Sequence, residues 1–211
     1  MCASMGELSA VAVLTLALLH EQPMHPYQVH RTLVERGDTR LVRVNAGAIY
    51  HGIERLEKAG LVEAVGTERA GNRPERTTYR ITGAGHAALI ARLASFIGDD
   101  HPSYPLVSVG LAEAHEIPAE TAVEQLQRRR NREADRLAGM ESARDLLRSL
   151  GLPRRYLLDV EHDLALLEAE VAWLDRTIHD LRTDGLDWDQ PFPPEFAAAR
   201  QALCAAQTGT T

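Results

Sequence analysis

Leu157, Val160, Leu164, Leu167, Val171, Leu174, Ile178 and Leu181 are spaced 3, 4, 3, 4, 3, 4 and 3 residues apart without exception. Such a heptad seam commits the segment to a helix, about 36 Å long between its end residues, whose apolar side must be covered by another helix. The preceding stretch, opened by Pro118 and closed by Gly151-Leu152-Pro153, carries a weaker stripe of Val123, Leu126, Leu137, Met140 and Leu147, interrupted by Arg130, Glu133 and Arg144. A strong stripe beside a weak one predicts an antiparallel helical pair whose best face meets another subunit, which makes the eight seam residues candidate dimerisation residues. The same seam also fits the core of an intramolecular bundle.

The first half is patterned differently. Glu7 to His20 reads as a buried helix stopped at Gln22-Pro23. Pro26 suits the first turn of a second helix carrying Val29 and Leu33, with Gly37 as its cap. Asn45 is placed to cap a third, on which Ile49, Ile53 and Leu56 recur at helical spacing and which Gly60 ends. The period then changes. LVEAV (61–65) and TTYRIT (77–82) read as a half-buried hairpin with Tyr79 and Ile81 inward, joined by GTERAGNRPER. Thr82 caps a fourth helix continued by Ala88, Leu89 and Leu93. Three helices, a hairpin with a basic tip and a fourth helix make a winged helix-turn-helix.

The expected fold is therefore mainly α: a winged helix-turn-helix with a two-stranded wing over residues 1–97, a junction over 98–117, an antiparallel helical or coiled-coil dimerisation domain over 118–184, and a tail over 185–211 with room for a short helix. Charge divides the same way. Residues 1–97 hold 11 basic and 9 acidic side chains and residues 98–211 hold 12 and 21, a balance of +2 against −9 within the total of −7. Across residues 40–80 there are 8 basic groups against 5 acidic ones, and that local excess is what a polyanion meets.

On the third helix Asn45, Ala48, Tyr50, His51, Arg55 and Lys58 fall away from the apolar stripe or at its margins. Its N-terminal members are candidates for base edges and Arg55 and Lys58 for phosphates. Arg55 has an alternative in pairing with Glu54 or Glu57. Arg43 flanks the helix, and Arg69, Asn72, Arg73 and Arg76 sit at the hairpin tip, where an arginine-rich turn is either a DNA-gripping wing or a solvated loop.

PMHPYQV, AGAIYHGIERLEKAGLVEAV and RPERTTYRITGAGHAAL, in that order, resemble a PadR-type transcriptional regulator, and LLDVEHDLALLEAEVAWLDRTIHDL resembles the C-terminal helices of its long-tailed members. The resemblance implies a homodimeric DNA-binding regulator, usually a repressor, that binds a pseudo-palindromic operator in double-stranded DNA and releases it when a small aromatic or drug-like effector binds. It adds Tyr27, within PMHPYQV, to the DNA-contact candidates and singles out Tyr50, which matches the family's tyrosine. Pro26 stands where many members have Gly, His51 where many have Pro, and Ala48 where Ser or Thr is frequent; these departures bear on which operator is read.

Outside the seam, Leu166 and Trp173 form a second apolar strip on the last helix, with Tyr156 and Trp188 near its ends. These four are candidate effector-binding residues, in a cleft between the DNA-binding part and the last helices, although a large aromatic such as Trp173 more often simply packs, here on the preceding helix. Histidine spacing favours no metal site, no cofactor motif occurs, and neither a nucleophile elbow, a P-loop nor a zinc-protease motif points to an enzyme. Two cysteines near opposite ends suit a reducing cytoplasm. The apolar run Leu8 to Leu19 is shorter than the roughly 20 residues that span a bilayer, so no membrane partner is expected. A winged-helix scaffold without sequence-specific DNA binding is the alternative function; it gives no reason for the basic residues gathered around one helix.

Overall fold

The computed structural model describes residues 8–68, 76–183 and 185–190, with the side chains of residues 67, 68 and 76 left out. The chain forms two compact units, Met1–Ser103 and Tyr104–Thr211.

In the first unit α1 (Ala10–Glu21) is capped by Ser9, whose hydroxyl accepts the Ala12 amide. It ends where Pro23 forces Gln22 into extended geometry. Val13, Leu16, Leu18 and Leu19 are buried, and Thr15 is tolerated among them because its hydroxyl donates to the Val11 carbonyl at 2.8 Å. Helix α2 (Pro26–Glu35) starts on a reciprocal cap: His25 Nδ1 accepts the Gln28 amide and Gln28 Oε1 accepts the His25 amide. Gly37, at φ +76°, ends it in the left-handed region.

Helix α3 (Ala46–Lys58) lies against α1 and α2 through Ile49, Ile53 and Leu56, all buried. Gly60, at φ +72°, turns the chain into β1 (Val62–Glu68), which pairs antiparallel with β2 (Arg76–Ile81). The register shifts between Ala64 and Gly66, a bulge beneath the wing tip. Tyr79 also exchanges two backbone hydrogen bonds with Met24, at 2.9 and 3.0 Å, tying the α1–α2 connection to the wing. No periodicity had marked Met24 as a strand residue.

Thr82 joins the wing to α4 (Gly83–Gly98). Its hydroxyl accepts the Gly85 amide and donates to the Gly60 carbonyl at 2.8 Å. Of the expected apolar face of α4, Leu89 is buried and Ala88 is packed against the core, but Leu93 is exposed.

In the second unit the stretch expected to be a junction carries a helix, α5 (Leu106–Ala112), followed by a single 3-10 turn. Helices α6 (Ala119–Ser149) and α7 (Leu158–Arg182) are joined through Gly151, at φ +81°, and Pro153. They pack antiparallel, with ion pairs Arg148–Glu161 at 2.8 Å near the turn and Arg130–Asp175 at 2.7 Å farther along.

This packing gives the seam an intramolecular cover, the alternative its spacing left open. Leu157, Leu164, Leu167, Leu174, Ile178 and Leu181 are buried within the single chain, and Val160 and Val171 are half-buried. Each fully buried leucine or isoleucine contributes about 1.5–3 kcal/mol, so the seam stabilises the α6–α7 hairpin and its buried members are closed to a partner. The heptad pattern was sound; the helix that covers it belongs to the same chain.

Candidate nucleic-acid interface

Asn45 sets the start of α3. Its Oδ1 accepts the Ala48 amide at 2.8 Å while its backbone remains extended, so the side-chain oxygen is spent on the cap. The buried stripe then holds one side of α3 down and leaves the other open. His51 is exposed over 78% of its side chain, and Tyr50 is 46% exposed. Lys58 and Arg55 are exposed farther along the helix.

Arg43, Arg55 and Lys58 have no ion-pair partner among the described residues, so the alternative pairing of Arg55 with Glu54 or Glu57 is not made. Arg80, by contrast, donates to Glu63 across the wing at 2.7 Å, which removes it from the free positive charge. His51 Nδ1 lies 3.4 Å from Glu54 Oε2, at the outer limit of a hydrogen bond. Burial, followed by the charges of Glu57 and Glu54, pushes the Tyr79 hydroxyl above its ordinary range and keeps it protonated beside the end of α3.

Ala48 is placed differently from the expectation. It is half-buried and lines a groove of about 470 Å³ with Thr15 of α1, Gly52 and Arg55 of α3, and Ala59 just past the end of α3. A side chain there faces α1, whose Val11, Ala12 and Thr15 line the same groove. Tyr27, in the first turn of α2, is 52% exposed. Arg69, Asn72 and Arg73 lie outside the described residues, and of Arg76 only the backbone, at the start of β2, is described.

Gly47 and Glu54, which the sequence reading did not single out, lie with His51 and Lys58 on one exposed side of α3, at the spacing 47, 51, 54, 58.

The aromatic candidates of the second unit separate into two pairs. Trp173 and Trp188 line one cavity of about 420 Å³, all of whose walls come from this unit. Tyr156 and Leu166 are exposed and do not line it; the Arg155 guanidinium sits over the Tyr156 ring at 4.7 Å.

The family model of the "Transcriptional regulator PadR-like family" matches residues 15–91, the stretch from α1 to α4 that holds every DNA-contact candidate. Residues 15–91 are PadR-like in sequence. Among curated proteins no sequence match is found. The PadR-like fold recurs in solved structures. Bacillus subtilis PadR in complex with operator DNA superposes with a TM-score of 0.66 at 16% identity, over 82% of this chain and 99% of that one. The same protein in complex with p-coumaric acid gives 0.68 at 13% identity, with the same coverage. The Vibrio cholerae virulence activator AphA gives 0.61 at 17% identity, again over 82% and 99%. At these identities the likeness is one of fold, and it extends beyond the PadR-like segment into the second unit.

Proposed function

We propose that this PadR-like transcriptional regulator acts in the cytoplasm as a homodimeric repressor, reading an inverted-repeat operator with α3 and leaving it when a small effector binds. The observation that carries the reading is the open side of α3. Tyr50 and His51 are exposed in its N-terminal half, and Arg43 before the helix and Arg55 and Lys58 along it add positive charge with no ion-pair partner among the described residues. A structural neighbour of the same fold, B. subtilis PadR, is seen with operator DNA and with p-coumaric acid.

Within this reading Tyr50 and His51 contact base edges, with Tyr27 beside them. Arg43, Arg55 and Lys58 contact phosphates, and the wing residues Arg69, Asn72, Arg73 and Arg76 grip the adjacent backbone or minor groove. Asn45 orients the helix, and Ala48 keeps its α1-facing side narrow. Self-association uses apolar side chains other than the seam; Leu146, Leu150 and Leu158, exposed around the α6–α7 turn, are available for it.

Selection of bound duplexes from a random pool by the intact protein tests the proposal. The expected product is an inverted repeat whose half-sites lie one helical turn apart or a multiple of it, about 34 Å per turn. A pool that stays unenriched at every round would overturn operator reading and favour the scaffold alternative.

A further inference from the structure

The groove between α1 and α3 is bounded on one side by the first half of α1, through Val11, Ala12 and Thr15, and on the other by Ala48, Gly52 and Leu56. Its ends are pinned. Arg92 Nε donates to the Leu8 carbonyl at 3.0 Å, which holds the start of α1, and the Leu61 amide donates to the Leu56 carbonyl at 2.9 Å, which holds the chain as it leaves α3. Alanine at 48 and glycine at 52 leave this side of α3 without bulk, so the two helices meet without filling the space between them. The opening of about 470 Å³ is thus built into the packing and lies in the ordinary range of small-molecule sites.

The chemistry of its walls is narrow. Among the described residues that line the groove none is aromatic, and Arg55 is the one charged side chain. The Thr15 hydroxyl already donates to the Val11 carbonyl at 2.8 Å, whereas Arg55 has no ion-pair partner among the described residues. Aliphatic walls favour an alkyl chain in proportion to the area it removes from water, and a guanidinium is matched in charge and shape by a carboxylate.

We infer that this groove binds a straight-chain aliphatic carboxylate, its chain between α1 and α3 and its carboxylate on Arg55. The site lies wholly within the first unit and is separate from the cavity of Trp173 and Trp188. The inference goes beyond the regulator reading and rests on it for one consequence only. The carboxylate takes the guanidinium that the reading assigns to a DNA phosphate, so ligand and phosphate exclude one another at Arg55.

Gly52 offers a way to close the groove. It lines the wall, has no positive φ, and a Cβ built on it meets nothing within 4 Å. Leucine at this helical position gains helix propensity and extends into the space the alkyl chain would use.

The experiment titrates the intact protein with decanoate by isothermal calorimetry, beside octanoate and its neutral counterpart octanol. The expected result is a single site per chain, about tenfold tighter for decanoate than for octanoate because a longer chain is buried, and about tenfold weaker for octanol than for octanoate. Decanoate binding should weaken about tenfold in Arg55→Gln, an exposed position whose replacement leaves thermal unfolding near that of the parent, and should vanish in Gly52→Leu. No saturable binding of decanoate, octanol bound as tightly as octanoate, or undiminished binding in either variant would each overturn the inference. Binding of duplex DNA is followed on the same samples. Saturating decanoate should weaken it severalfold and make its salt dependence shallower by about 1 per subunit, as the loss of one phosphate contact requires. Duplex bound with no decanoate binding defeats this site alone, and decanoate bound with no duplex affinity defeats the regulator reading alone. Both held together at undiminished affinity would overturn the shared use of Arg55.

Discussion

Asn45 Oδ1 accepts the amide of Ala48 at 2.8 Å, so the residue that opens the reading helix is also the one that fixes its first turn. Replacing it with alanine leaves an unsatisfied amide at the helix start and should cost about 1 kcal/mol of stability. Asn45→Asp should restore most of that loss, because aspartate caps as well as asparagine does. Chemical denaturation of the three proteins checks the order; an alanine variant as stable as the parent would contradict the cap.

A methyl group at Gly85 has nowhere to go. A Cβ there would stand 2.0 Å from the Leu61 carbonyl oxygen and 2.8 Å from Ile81 Cγ1. Relief requires moving the start of α4 off the wing, so Gly85→Ala should destabilise the first unit by roughly 2 kcal/mol or more, although alanine favours helix elsewhere. Gly52→Ala is the control: its Cβ meets nothing within 4 Å and should be tolerated. Thermal unfolding of the pair separates a steric cause from a general effect of replacing glycine.

Lys58 and His51 should fail differently. Lys58→Ala removes a free positive charge, so it should weaken binding to all duplexes alike and make the salt dependence shallower by about 1 per subunit. His51→Ala should change which half-site is preferred while leaving the salt slope nearly intact. Binding isotherms on operator and scrambled DNA at several salt concentrations distinguish the two outcomes.

Acid should loosen the α6–α7 hairpin. The Arg154 hydrogen bond, opposed by desolvation and reinforced by Arg148, holds the Glu161 carboxyl below its ordinary range, and the Arg130 hydrogen bond does the same for Asp175. Carboxyls that bind protons less readily when folded contribute stability that is complete above their unfolded values, about 4 to 4.5, and is lost as pH falls through the lower folded ones. Asp38 runs the other way in the first unit, because burial raises its carboxyl. Helix content followed by circular dichroism during acid titration should therefore fall earlier in the parent than in Glu161→Gln, measured relative to each protein's neutral-pH stability.

The winged helix was legible because its boundaries are punctuated. Pro23, Gly37, Asn45, Gly60 and Thr82 each have one physical use at an element end, and each is used there. Contacts without a local pattern were not legible. The Met24–Tyr79 bridge joins single residues far apart in sequence, and α5 is two turns long, too short for a period to show. The seam of α7 was visible, but 3-4 spacing is the same whether the covering helix is the chain's own or a partner's. On α3, the exposure of Tyr50 and His51 was legible from their distance from the stripe. The half-burial of Ala48 beside α1 was not legible, because a margin position faces whichever neighbour stands beside it. The two tryptophans of the cavity are 15 residues apart, and only the fold brings both to its walls.

The most direct test of the central claim, that α3 reads a particular DNA sequence, is fluorescence anisotropy of the intact protein with duplex from its own upstream region and with a scrambled duplex of equal length, across a salt series. The account predicts preference for the upstream duplex by several orders of magnitude, and a fall of log affinity with log salt at a slope near −5 if about 6 phosphates are neutralised per dimer. Equal and weak binding to both duplexes, at any salt, would contradict it.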